Sequence, residues 1–212
     1  MNRIAPAVLA IFTLSLTLAG CMVRVDKDQN GNEKNVQVDT PFGHVHVNTD
    51  QTTPADLGLP AYPGATQVKD EDNDKSANVN VGFGQWEIKV KAINYVTPDS
   101  RDKVIAFYKN ALGHFGSVIS CQDSKPVGKP DITSEGLSCQ DDSSVHNIQI
   151  NSHKSDKGVT INTGKSSEGY QLKAGSKHHQ HVVGFEDSSD GKTHFALVAI
   201  DLPSGIDSGS KK

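Results

Sequence analysis

WEIKVKAINYVTPDSRDKVIAFYKNALGHFG, residues 86–116, carries the pattern that decides the fold. Trp86, Ile88, Val90 and Ala92 alternate with Glu87, Lys89 and Lys91, the period of a strand with one buried face. The alternation slips at Ala92-Ile93 and continues on a new phase at Tyr95, which predicts a β-bulge there. Thr97-Pro98-Asp99 supplies a capping hydroxyl, a proline for the first helical position and an acid for the first turn, so a helix should start here. Val104, Ile105, Tyr108, Ala111, Leu112 and Phe115 form one apolar stripe at helical spacing, and Gly116 suits the C-cap.

Outward from this stretch the chain reads as β. On the C-terminal side, Val118-Ile119 leads into Cys121, and Leu137 precedes Cys139. Residues 148–155 and 159–166 resemble each other, which predicts two neighbouring strands rather than a long-period repeat. Val182, Val183 and Phe185 mark the next strand, and Ser189-Asp190-Gly191 a turn. Residues 195–202 are nearly all apolar, the mark of a central strand covered on both faces; Pro203 ends it, and 204–212 reads as a disordered tail.

On the N-terminal side, Val79 and Val81 begin a short strand that stops at Gly82-Phe83-Gly84, after a polar loop over 68–77. Residues 50–63 carry Thr53-Pro54, Leu59-Pro60 and Tyr62-Pro63-Gly64 and read as a linker. Residues 21–49 alternate valines with polar residues around an Asn-Gly turn and a second turn at Pro41-Phe42-Gly43. His44 and His46 fall on the face opposite Val45 and Val47. The expected architecture is α+β: an antiparallel-rich sheet with one principal amphipathic helix packed on one face, spanning 64–203. Trp86, Tyr95, Phe107, Tyr108 and Phe115 are expected in its core, with a surface ligand groove as the alternative.

Residues 1–20 stand apart. Arg3 gives a positive start, residues 4–18 are mostly apolar and uncharged, and small residues precede Cys21. This is the layout of a secretory signal peptide, too short for a stable spanning helix. Leu18-Ala19-Gly20-Cys21 resembles the lipobox of bacterial lipoproteins. That resemblance implies cleavage before Cys21, a diacylglycerol on its thiol and usually a further acyl chain such as palmitate on its amine. Each buried CH₂ contributes about 0.8 kcal/mol, so two or three chains hold where one would not. The residue after the cysteine is Met22, not the Asp linked to inner-membrane retention. An outer membrane, in a cell with two, is therefore favoured.

Without residues 1–20 the chain keeps 192 of its 212 residues and loses one base and no acid, so its formal charge moves from −4 to −5. A mildly acidic chain of one-domain length offers no electrostatic footprint for nucleic acid. Residues 21–49 then form a membrane-proximal β segment with no long tether. Cys121 and Cys139 remain as an even pair in an oxidising compartment, each within Ser-Cys-Gln-Asp and separated by a Pro- and Gly-bearing loop, which predicts a disulfide.

Leu59-Pro60-Ala61-Tyr62-Pro63-Gly64-Ala65, followed by Thr97-Pro98-Asp99-Ser100 and a helix bearing Phe107-Tyr108, is similar to a group of uncharacterised bacterial lipoproteins with a "YPGA" segment and an "FY" helix. The similarity covers residues 57–120 and implies fold and address, not activity.

Chemistry-bearing clusters are sparse. His178, His179 and His181 crowd one segment, with His194 across the following turn. A zinc or copper site would need His179, His181 and His194 to converge; the plainer reading is a polar surface segment. Asp26, Asp28, Asn30 and Gly31 mimic the start of a calcium loop, but Gln37 stands where the closing acid belongs, so a hairpin turn is expected. No nucleophile motif such as GxSxG occurs, and no catalytic residue or cofactor is assigned. The expectation is a lipid-anchored envelope protein with a non-enzymatic binding or structural role, contacting the membrane through its lipid and an envelope protein as partner. A ligand- or metal-binding module using the His-rich segment and an enzyme of unrecognised type are the alternatives.

Overall fold

The computed structural model describes residues 21–27, 33–69, 75–141, 148–150, 159–161 and 169–204. The expected signal peptide over 1–20, the hairpin turn expected at 28–32, residues 70–74 of the expected polar loop, most of the similar stretches 148–155 and 159–166, and the expected tail beyond 204 lie outside these residues.

Thirteen strands are described: β1 (Met22–Lys27), β2 (Glu33–Thr40), β3 (Gly43–Thr49), β4 (Thr66–Gln67), β5 (Ser76–Phe83), β6 (Trp86–Thr97), β7 (Ile119–Gln122), β8 (Lys125–Pro126), β9 (Ile148–Ile150), β10 (Val159–Ile161), β11 (Tyr170–Gly175), β12 (His179–Glu186) and β13 (Thr193–Asp201). Between β6 and β7 runs the helix α1 (Arg101–Leu112). One sheet has the order β1-β2-β3-β5-β6-β13-β12-β11-β7-β8, with β4 beside the end of β6. β9 and β10 pair separately as antiparallel neighbours, as the similarity of their sequences suggested. Every pairing is antiparallel. The protein is mostly antiparallel sheet with one α-helix among the described residues, and is richer in strand than a balanced α+β fold.

β6 corrects the expected bulge. Its register with β5 runs unbroken from Phe83↔Trp86 to Ser76↔Ile93, and with β13 from Lys89↔Asp201 to Thr97↔Thr193. The slip in hydrophobic phase has another cause. β6 is long enough to serve two cores on opposite faces. Ile88, Val90 and Ala92 pack on the face away from the helix, with Val182, Val198 and Ile200. Ile93 and Tyr95 pack on the helix side, with Leu172, Val183, Phe185, Phe195 and Leu197. Side chains alternate without interruption; which face is buried changes along the strand.

The helix starts four residues later than Thr97. Thr97 is the last residue of β6, and its hydroxyl accepts the Asp99 N–H at 3.3 Å, closing a local turn instead of capping a helix. Ser100, extended at φ −64° and ψ 148°, stands at the N-cap. The stripe is as expected: Val104, Tyr108, Ala111 and Leu112 are buried and Ile105 and Phe115 pack at its margin, joined by Phe107, which lies outside the expected stripe.

Residues 50–63 are not a linker. Leu57, Leu59 and Tyr62 are buried in the helix-side core. The backbone N–H and hydroxyl of Thr53 both donate to the Asp56 carboxylate, fixing a 3-10 turn over Pro54–Leu57. The Tyr62 hydroxyl donates to Asp99 at 2.9 Å and the Tyr108 hydroxyl to the Pro60 carbonyl at 3.1 Å, so the segment is strapped across the helix. Nor is 21–49 a separate segment, because β3 pairs with β5 over seven positions and joins it to the main sheet.

The disulfide forms. Cys121 on β7 bonds Cys139 with 5.6 Å between their Cα atoms, packed against Ile119. Beneath it the fully buried Lys173 donates from Nζ to the Cys139 carbonyl at 3.3 Å.

Candidate functional site

The N-terminal half of the sheet has two chemically opposite faces. On the face away from the helix, the registers align Val25-Val36-Val47-Val79-Val90 in one row and Val23-Val38-Val45-Val81-Ile88 in the next. Alternation of polar and branched residues in five strands, all in one phase, produces this array.

The row beyond is the end of the sheet: Thr40, Gly43, Phe83 and Trp86, with Cys21 one residue before Met22, which pairs with Asp39. The β2–β3 and β5–β6 turns meet here, and the Gly84 N–H donates to the Phe42 carbonyl at 3.3 Å. Thr40 Oγ1 accepts the N–H groups of Phe42 and Gly43 and donates to the Gly43 carbonyl. Gly43 is required by proximity, since a Cβ there would run into the Gly82 carbonyl oxygen. A shallow depression of about 260 Å³ lies between the turns, bordered by Asp39 and His44. Phe42, Phe83 and Trp86 are 75%, 68% and 50% exposed. The expectation of Trp86 as a core residue is therefore corrected: it sits at the first position of β6, where the sheet ends. Tyr95 and Tyr108 are buried as expected, and Phe107 and Phe115 partly so.

The opposite face of the same strands is polar. His46 Nε2 bonds Asp39 at 2.9 Å, His44 Nε2 bonds Asn80 at 3.1 Å, and Asn80 donates to Glu87 at 2.9 Å. Lys89 pairs with Glu87 at 2.9 Å. The hydrogen bonds from Lys89 and then Asn80 hold the Glu87 carboxyl below the usual carboxylate range. The two imidazoles lie 4.8 Å apart. Sequence reading found the histidines but not Asp39, Asn80 or Glu87. Their only signal is cross-strand register, which a single strand's pattern does not contain.

The three histidines of the metal alternative are not brought together. His179 and His181 share the helix side of β12, with His181 opposite Ala199 on β13. His194 lies on the other face, opposite Glu186, five positions or about 17 Å along the strand. His179 bonds Asp201, His194 bonds Asp190, and His181 stacks on Phe115 with ring centres 3.6 Å apart. The His194 bond, followed by those from Ser188 and the Lys192 N–H, holds Asp190 far below its usual range. Among the described residues, no three His, Cys, Asp or Glu side chains form a set able to hold an ion.

His181 does carry a pH signature. Burial pushes its imidazole below the usual histidine range, more than Asp201 and a backbone contact at Leu57 raise it. The unfolded chain then binds the proton more readily than the folded one. The stability from neutral His181 is present above its unfolded pKa of about 6.5 and is lost as pH falls below it. The urea midpoint should fall further between neutral and mildly acidic pH in the parent protein than in His181→Gln. Equal falls would remove His181 from the acid response.

Comparison of the chain with family models, curated proteins and solved structures finds no match. No helix among the described residues is long and apolar enough to cross a membrane.

Proposed function

We propose that this protein is a lipoprotein, anchored by acyl chains on Cys21 at an extracytoplasmic membrane face, and that it works there by binding rather than catalysis. The observation that carries the reading is the state of its three cysteines. Cys121 and Cys139 are bonded to each other, while Cys21, at the end of the lipobox-like Leu18-Ala19-Gly20 stretch, is free and exposed immediately before β1. A disulfide fits an oxidising compartment, and a cysteine just ahead of the first strand fits an anchor joined directly to the fold. The outer membrane is the proposed address in a two-membrane cell, from Met22 after the cysteine. The paired faces of the β1–β6 region offer a sheet surface for an envelope partner.

Cys21→Ser should abolish incorporation of labelled palmitate and move the protein from the membrane to the soluble fraction. A variant that stays labelled and membrane-bound would refute the anchor.

A further inference from the structure

We propose that the Cys21 end of the sheet is itself a membrane-contact surface, with Phe42, Phe83 and Trp86 seated in the interfacial layer of the bilayer that receives the acyl chains. This rests on the lipoprotein reading of Cys21 and adds to it a second, side-chain attachment.

Four observations converge. First, the location: among the described residues, Phe42, Phe83 and Trp86 are the exposed aromatic side chains with large apolar surface, and all three lie on the end of the sheet where Cys21 lies. Aromatic side chains cluster at membrane–water interfaces because their rings are apolar, and the indole N–H keeps a polar contact.

Second, reach. Cys21 adjoins Met22, the first residue of β1, and one residue spans at most about 3.6 Å. Anchoring Cys21 therefore brings the sheet's end to the membrane with no tether to hold it off. From β1 to β6 there are four strand steps of about 4.8 Å, so the anchor and Trp86 are about 19 Å apart along one edge.

Third, charge. The two turns and their flanks, Thr40-Pro41-Phe42-Gly43 and Phe83-Gly84-Gln85-Trp86, carry no charged side chain. Asp39 and Glu87 stand one row behind, on the polar face, where they keep their hydrogen-bonded partners and water. Seating the tip thus moves rings, not charges, out of water.

Fourth, order. The Gly84–Phe42 backbone bond and the Thr40 hydroxyl fix both turns before any membrane is met, so less conformational freedom is lost on contact.

Trp86 is the chain's single tryptophan and reports on the proposal directly. The lipidated protein, purified from membranes with the Cys21 modification verified by intact mass, is reconstituted into phosphatidylcholine vesicles. In these the acyl chains carry bromine either near the headgroup or near the methyl end. The expected result is a blue-shifted Trp86 emission, quenched strongly by shallow bromine and weakly by deep bromine. In Phe42→Ser, Phe83→Ser the quenching should decrease while lipid attachment and melting temperature persist, since both rings are exposed. Verified lipid on Cys21 with emission indifferent to bromine would overturn the proposal and leave the anchor standing, whether the indole then faces water or a protein partner. Absence of lipid on Cys21 would overturn the anchor and this inference with it.

Discussion

Tyr108→Ala should destabilise the protein by about 3–5 kcal/mol, the usual cost of truncating a buried aromatic ring. In a domain of this size that is a melting-temperature fall of roughly 6–20 °C. Tyr108 is fully buried at the middle of the helix stripe. Its ring meets those of Tyr62, Phe107 and Phe195 with centres 6.5, 5.0 and 5.6 Å away. Its hydroxyl ties the helix to the 50–63 segment at Pro60, and burial raises its phenol far above the ordinary tyrosine value, so it remains a neutral donor. Lys109→Ala, one position round the helix and exposed, should change stability by no more than about 0.5 kcal/mol. Thermal melts of the two variants check the assignment; similar losses in both would mean that the ring does not anchor the helix to the sheet.

Removing the disulfide by Cys121→Ala, Cys139→Ala should cost about 3 kcal/mol, from the freedom regained by the unfolded chain when a loop of this length opens. The two cysteines are 18 residues apart in sequence. The folded loop has further attachments: Thr133 donates from its hydroxyl to the Gly175 carbonyl at 2.9 Å and accepts the Leu137 N–H at 2.8 Å, and Leu137 is fully buried. The variant should therefore fold to the same sheet, with a lower urea midpoint. An unchanged midpoint would show that the bond does not restrict the unfolded ensemble, and a chain that fails to fold would show that it positions β7.

The helix stripe, the disulfide partners and the valine strands were legible because each is written locally, in a period or a pair. The 50–63 segment escapes such a reading for the same reason. Its prolines announce breaks, while Leu57, Leu59 and Tyr62 have no period because they reach the core from irregular backbone. At β6 the sequence pattern recorded a change of buried face, and a bulge is the local device that gives the same trace. The end of the sheet was legible in part. Pro41-Phe42-Gly43 reads as a turn and Gly82-Phe83-Gly84 as the end of a strand. That both turns and Cys21 share one edge follows only from the register of four strands.

The double service of β6 also sets where chain connectivity is most demanding. β2–β3 and β5–β6 are joined by two-residue turns, so these pairings close short loops. The β6–β13 seam joins Thr97 to Thr193 and Lys89 to Asp201, across the helix, the disulfide loop and four strands of the main sheet, β7, β8, β11 and β12. Loop-closure entropy grows with the length enclosed, and long-range pairing slows folding. The β2–β3 and β5–β6 hairpins are local, the β3–β5 seam encloses residues 50–75, and the β6–β13 seam encloses the longest stretch of the three, so it carries the largest closure cost.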